Sequence, residues 1–425
     1  MKRVVITGIG VVAPLGIGKE QFWKNAIRGQ SYLQADPEME AMGIKSKVVC
    51  RVADFDLSDY CSGAEFDHLV EQDRVVQFGV VSGTAAIADS GLDLSQEDPE
   101  SLGIIFSSAI GGTPTIQKIF ERCSEKGSQP LRHVATGENF YNAGMFNYPA
   151  ALLARKHGFQ GPCTSLSTGC TAGLDALGLS FELIRSGECQ VMLAGASEAP
   201  LTSLTYATLD VIGSLSVADC EPEKASRPFD AKRGGFVISE AGAVLVLEEL
   251  EHALGRNAHI YAEVVSYYSV SNAFHMTDLP DHGVPMAAVM ERTLHLGNVE
   301  PEELDYINAH GSSTPQNDLF ETNAYKQVLG DKAYRLPISS TKSMIGHSLS
   351  SASLVGVVAT LGAIELSVVH PTANYEFPDP NCDLDYVPNE ARSTDVNTAL
   401  LTASGFGGIH SAAIFKKYRE ESLGE

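Results

Sequence analysis

At 425 residues, 44% of them hydrophobic and 20% charged, with 39 glycines, the chain has the composition of a loop-rich globular enzyme with room for two domains or two packed halves. Its 53 acidic against 30 basic residues leave a formal charge of −23, which excludes nucleic acid or an anionic membrane held through Lys and Arg. The eight cysteines include no Cys-x-x-Cys pair, so neither a metal site nor a disulfide framework is predicted, and reduced thiols suit a cytosol.

In chain order, the first predicted element is a strand over Val4–Thr7. The basic, then apolar opening imitates a secretory signal, but Thr7, Gly8 and Gly10 interrupt it and it runs into Pro14. Gly8-Ile-Gly10-Val-Val-Ala13 matches the dinucleotide-binding pattern; Pro14, Gly16 and Gly18 forbid the helix that pattern requires, so the glycines are read as a tight strand exit. Helices follow at Gln21–Arg28 and Arg74–Asp89, a strand at Ile104–Phe106, a helix at Thr171–Ser186, and strands at Val191–Gly195 and Val244–Leu247. After about residue 255 a second series begins. It comprises a strand at Ile260–Val270, a helix at Met286–Leu296, a strand at Tyr306–Asn308, a helix at Ser350–Leu361 and strands near Ala399 and Ala412. The apolar run Leu354–Val369 carries Glu365 and many small residues, which makes it a buried helix and strand, not a membrane span. Alternating elements of this kind give an α/β class with a parallel or mixed sheet, divided as residues 1–255 and 256–425.

Three residues have settings that suggest chemistry. Cys170, in Leu-Ser-Thr-Gly-Cys-Thr-Ala-Gly, is expected at a sharp strand-to-helix turn, its sulfur at the positive end of the helix, where a thiol ionises easily and orphan N–H groups hold it. The other seven cysteines are read as small buried hydrophobes. His310, in Asn-Ala-His-Gly-Ser-Ser, and His347, in Met-Ile-Gly-His-Ser, stand beside glycines where strands are expected to end, without the i, i+4 partner of a helical metal site. One thiol and two neutral imidazoles suggest covalent acyl chemistry, with the rings donating to a developing enolate oxygen. Lys342, five residues before His347, is a candidate electrostatic support.

On these residues the chain resembles the β-ketoacyl synthases, condensing enzymes of the thiolase fold, over almost its whole length. The spacings of 140 residues from Cys170 to His310 and 37 from His310 to His347 match, as do Ser226-Arg-Pro-Phe-Asp230, Arg233-Gly-Gly-Phe-Val237, Asn272-Ala-Phe-His-Met-Thr277, Thr341-Lys-Ser-Met344 and Gly405-Phe-Gly-Gly408. The resemblance implies a five-layer αβαβα fold of two similar halves. It also implies transfer of an acyl group from a carrier-protein thioester to Cys170, then decarboxylative condensation with a malonyl thioester held by His310 and His347. By the same resemblance, the N–H groups of Cys170 and Phe406 form an oxyanion hole, Phe406 gates the site, Ile110 lines the acyl pocket, and Lys342 and Glu321 support it.

Ser167-Thr-Gly-Cys170, Gly173-Leu-Asp175 and Thr314-Pro-Gln-Asn-Asp318 resemble the ketosynthase α subunit of aromatic, type II polyketide synthases more than the elongating synthases of fatty acid synthesis, which remain the alternative. That branch implies substrates carried on the phosphopantetheine of an acyl carrier protein, no resident cofactor, and a chain-length factor as heterodimeric partner. Cys170, His310 and His347 together oppose the reading of this chain as a non-catalytic scaffold. A coenzyme-A thiolase would need a second catalytic cysteine, and only Cys382 lies in the C-terminal part. Two departures stand out. Gly356 replaces a Glu usual in the family, leaving Lys342 to Glu321, Asp318 or solvent; and residues 68–74 and 214–219 lack the usual carrier-facing cations, leaving few such as Arg74 and Arg132.

Overall fold

The computed structural model describes residues 1–217 and 219–420. Its main sheet is built on β1 (Val4–Ala13), β2 (Leu102–Ser107), β3 (Cys163–Leu166), β4 (Val191–Glu198), β5 (Ala241–Glu249), β6 (Ala262–Ser271), β7 (Tyr306–Asn308), β8 (Ile338–Ser339), β9 (Thr398–Gly405) and β10 (Ile409–Lys416). The order is β8-β7-β9-β10-β6-β1-β5-β4-β2-β3, with Gly16–Ile17 folding back on β1. All strands from before residue 255 lie on one side and all from after it on the other. They meet where Val4–Ile6 of β1 pairs antiparallel with Ala262–Val264 of β6.

Strand alternation sorts the side chains into layers. Val244 and Val246 of β5 face a cluster with Val75, Phe78 and Val80 of α1 (Arg74–Ser90), while Leu245 and Leu247 face the opposite way. In that central layer they meet Leu174, Leu177 and Phe181 of α2 (Ala172–Ser186) and Leu354, Val358 and Leu361 of α5 (Ser351–Leu366). Leu401 and Phe415 point to the same layer from the other strands. Leu400 and Ile414 instead join Met286, Val289 and Met290 of α3 (Val284–Gly297) and Phe320 and Ala324 of α4 (Pro315–Leu329). The backbone thus forms five layers, helix–sheet–helix–sheet–helix, with α2 and α5 as the middle layer between the two halves of the strand order. α5 is apolar all round because it lies in the middle layer; among the described residues no helix is long and apolar enough to cross a membrane.

The expected elements are present with shifted ends, and the glycine reading is corrected. Gly8 and Gly10 are not at a strand exit; β1 continues through them to Ala13, with a register shift between Ile6 and Gly8. They lie where α1 crosses the sheet so closely that a Cβ on Gly10 would stand 1.9 Å from Ser82 O, and one on Gly8 2.3 Å from Ala86 O. Gly10→Ala should therefore lower the thermal unfolding midpoint by several degrees, an overpacking cost of about 3 kcal/mol. Gly144→Ala, whose new Cβ would meet nothing within 4 Å, should leave it unchanged; differential scanning fluorimetry of the two variants makes the comparison.

Candidate active site

Cys170 sits in a single 3-10 turn, Gly169–Thr171, that leads from β3 into α2. Gly169 makes the turn possible: its φ is +67°, a left-handed value that a side chain would strain, and a Cβ there would stand 3.3 Å from Phe406 O. The start of α2 is not free to hold the sulfur, which corrects the expectation from helix geometry. Gly173 N–H donates to Ser350 O at 3.1 Å and Leu174 N–H to Ser353 Oγ at 2.9 Å. The sulfur instead meets the N–H of Phe406, in the turn between β9 and β10, and its own N–H. Nor is the thiol ionised at rest. Burial pushes it up to about 11, against the pull of the Phe406 N–H and the Lys342 ammonium, with Glu198 adding to the rise.

Both histidines come to this sulfur from the far side of the seam. His310 follows β7, as expected. His347 does not end a strand: it follows the helical turn Lys342–Ile345 and bridges to the backbone at Ile238, its N–H donating to Val237 O at 2.7 Å. Gly346, at φ +67°, lets the chain pass where a Cβ would lie 2.6 Å from Val237 O. The two rings stand 5.2 Å apart between centroids at 78°, and with Cys170 and Phe406 they line one cleft of about 310 Å³. Desolvation, then the Lys342 charge, holds both imidazoles well below 6.5, so they are neutral at physiological pH. Leu349 N–H donates to His347 Nδ1 at 3.1 Å, which places the proton of the neutral ring on Nε2.

Lys342 finds its partners without the missing glutamate. Its Nζ donates to His310 O at 2.6 Å, and its charge is balanced by Glu321, with smaller help from Asp318; burial still lowers it to about 8. A side chain at Gly356 would be tight, since its Cβ would meet Leu401 at 3.2 Å and Asn308 Oδ1 at 3.3 Å and those side chains would have to give by a few tenths of an ångström. Glu321, on α4, accepts from His310 N–H (2.9 Å) and Gly311 N–H (2.7 Å), and from Asn317, Tyr325 and Thr402. Ile110 stands one step back from the cleft, in an apolar cluster with Met39, Tyr206, Phe236 and Leu349. Phe406 lies at the cleft's mouth, and Arg74 is committed to Glu240 through both nitrogens of its fork and to Val52 O. Arg132 is exposed.

Sequence reasoning missed three buried groups. Asp175, one turn into α2, accepts from Thr168 and Thr171 on either side of Cys170 and from Tyr267 and Ser411 across the seam. Glu198 ends β4 with one oxygen accepting from Ser108 Oγ, Ala109 N–H and Ser350 Oγ; its other oxygen has no partner, and burial raises it to about 7. His410 bonds Ser404 and Asn272 beneath the Phe406 turn. Only Asp175 had any sequence signal, as part of the Gly-Leu-Asp run after Cys170. Of the cysteines read as buried, Cys163 is exposed on the edge strand β3, and Cys61 and Cys220 are half-buried.

The comparisons with known proteins agree with this geometry. Residues 1–253 match the β-ketoacyl synthase N-terminal domain and residues 261–376 the C-terminal domain of the same family. The chain is 43% identical over 420 residues to the tetracenomycin polyketide synthase ketoacyl synthase alpha subunit of Streptomyces glaucescens, covering 99% of this chain and 98% of the relative. A solved type II polyketide synthase acyl-carrier protein in complex with its ketosynthase, AntDE:AntF, superposes with a TM-score of 0.92 at 40% identity, covering 98% of this chain and 100% of that one. The ishigamide ketosynthase/chain length factor superposes at 0.89 and 30% identity, covering 98% and 100%. With a buried thiol and two neutral imidazoles around one cleft, on a five-layer fold matched along its length, the chain belongs to the β-ketoacyl synthases.

Proposed function

We propose that the chain is the ketosynthase α subunit of a type II polyketide synthase, extending an acyl chain on Cys170 with malonyl units from an acyl carrier protein. Residues 1–255 supply the nucleophile and 256–425 both histidines. The observation that carries the reading is the convergence of Cys170, His310 and His347 on one cleft whose sulfur faces two backbone N–H groups. Carbonyl oxygen bound at those N–H groups acquires negative charge as the sulfur adds, and fixed dipoles in a dry site stabilise it. Because the thiol is neutral at rest, its proton passes to the departing pantetheine sulfur as the new C–S bond forms and the old one breaks.

In the second step the malonyl thioester oxygen lies between the two imidazole N–H groups. Loss of carbon dioxide leaves the electron pair as an enolate, and neutral donors stabilise it without protonating it outright. The enolate carbon attacks the acyl–Cys170 carbonyl, a C–C bond forms, and Cys170 leaves as the thiolate and takes up a proton. These steps ask for no cofactor beyond the carrier's phosphopantetheine. Two relatives bear on the partners: one is described in complex with its carrier protein and the other with a chain length factor. The edge strand β3, exposed at Cys163 and Thr164, offers an open ladder for such a heterodimer. Eight free cysteines accord with a cytoplasmic location.

Incubating the chain, its co-purified partner and malonyl-loaded carrier should give new carbon–carbon bonds by mass spectrometry, and Cys170→Ala should abolish them; condensation surviving that substitution rejects the reading. Activity in fatty-acid elongation with no partner subunit would move the assignment to that branch. His310→Ala and His347→Ala should each slow malonyl decarboxylation by about 10²–10³-fold.

The pH dependence follows from the burial of the three bases. Both imidazoles stay neutral from mildly acidic pH upward, so they impose no acid limb. Lys342 loses its proton as pH rises through about 8, removing positive charge beside the enolate site, so decarboxylation should fall above that pH. In Lys342→Ala the rate should be lower and this alkaline limb absent, as read by carbon dioxide release against pH. Asp175→Asn weakens the anchor of the nucleophile's turn but not the histidines. It should slow acylation of Cys170 by about ten-fold while decarboxylation stays near the wild-type rate, read by intact-mass acylation kinetics beside carbon dioxide release.

A further inference from the structure

Around the mouth of the cleft, three segments distant in sequence turn large apolar side chains to solvent. Val211 (84% exposed) and Ile212 (45%) end the helix Ser203–Val211; Phe274 (61%) and Met276 (68%) lie on the loop after β6; Phe406 (36%) lies on the turn between β9 and β10. Ile212 and Phe406 line the cleft itself, as do Thr277, Asp278 and Leu279, the residues that directly follow Met276. Gly407 N–H donates to Met276 O at 2.7 Å, which ties the second segment to the third. Single exposed apolar residues need no explanation, but a set that rims a functional opening marks a contact surface.

The charges at this rim argue for the kind of contact. The cleft lining contains no Lys or Arg, and its one carboxylate, Asp278, lies 3.5 Å from His275 Nδ1. Two arginines are already paired: Arg74 with Glu240, and Arg233 with Asp379, Asp230 O and Pro315 O. Lys232 rests on the Phe377 ring at 3.4 Å. At a net charge of −23 the chain as a whole repels an acidic partner at long range.

Resting on the function proposed above, we infer that Val211, Ile212, Phe274 and Met276 form the surface on which the acyl carrier protein docks, through an apolar helix face of the carrier and with little contribution from ion pairs. The occupant is fixed by position: a thioester that reaches Cys170 through this mouth has its carrier seated on the rim. Apolar contact then supplies the holding energy, and electrostatic steering is weak.

The test uses the full-length chain with its co-purified partner subunit and malonyl-loaded holo acyl carrier protein from the same organism. Raising salt from about 50 to about 500 mM should change the carrier Kd by less than about two-fold, since screening weakens exposed ion pairs and leaves apolar contact intact. Val211→Asp and Phe274→Asp should each raise that Kd by about ten-fold or more. Both side chains stand in solvent and touch no group assigned to the chemistry, so acylation of Cys170 by acetyl-pantetheine, which needs no docking, should stay within about two-fold and report an intact fold. Carrier affinity unchanged in both variants, or a wild-type Kd that rises ten-fold with salt, overturns the inference; so does loss of the partner subunit with carrier affinity retained, which would make the rim a subunit contact. Failure of Cys170 in the wild-type chain to accept the acetyl group from acetyl-pantetheine would instead sink the proposed function.

Discussion

The site depends on a buried charge balance. Lys342 lies inside the protein beside two imidazoles, and an ammonium there is tolerated only with an anion near it; Glu321 and, more weakly, Asp318 provide that anion. Glu321 is held in turn by five donors, two of them the N–H groups of His310 and Gly311, so one carboxylate both neutralises Lys342 and fixes the backbone that carries His310. Breaking such an arrangement on one side leaves an uncompensated interior charge, which costs about 3–5 kcal/mol. Burial, with the Lys342 charge beside them, keeps both histidines neutral.

The Cys170 side of the site is braced by buried carboxylates as well. Asp175 gathers four hydroxyls, two flanking Cys170 and two from strands across the seam. Glu198 joins the Ser108–Ala109 loop to Ser350, three residues beyond His347. Because Ser350 O and Ser353 Oγ also cap the start of α2, the cysteine and the second histidine are locked to each other through the middle helical layer. A displacement of either would leave buried donors unpaired, which makes the relative position of thiol and imidazole stiff.

Chain order and spacing disclosed most of the architecture. Strand runs such as Val191–Gly195 and helix runs such as Arg74–Asp89 were legible because alternation and the three-to-four spacing of apolar residues are local properties, and the ends missed by a few residues were set by hydrogen bonds to distant segments. The glycines of β1 were misread since glycine signals either a turn or a close approach, and only the crossing of α1 distinguishes them. His347 was misplaced for a similar reason: the backbone it pairs with, at Ile238, is more than a hundred residues away.

What the sequence determined by itself was the chemistry available: Cys170 beside glycines, His310 and His347 at their intervals, and a composition that builds an α/β core. The tertiary structure decided how those groups behave. It buried the thiol and so kept it protonated, supplied Phe406 N–H where helix N–H groups were expected, and gave Lys342 the carbonyl of His310 in place of the absent glutamate. It also committed Arg74 to Glu240 and left apolar side chains at the cleft mouth. Side-chain identity is written in the chain, but protonation state, hydrogen-bond partner and exposure depend on what folding brings within a few ångströms, and sequence spacing does not carry that distance.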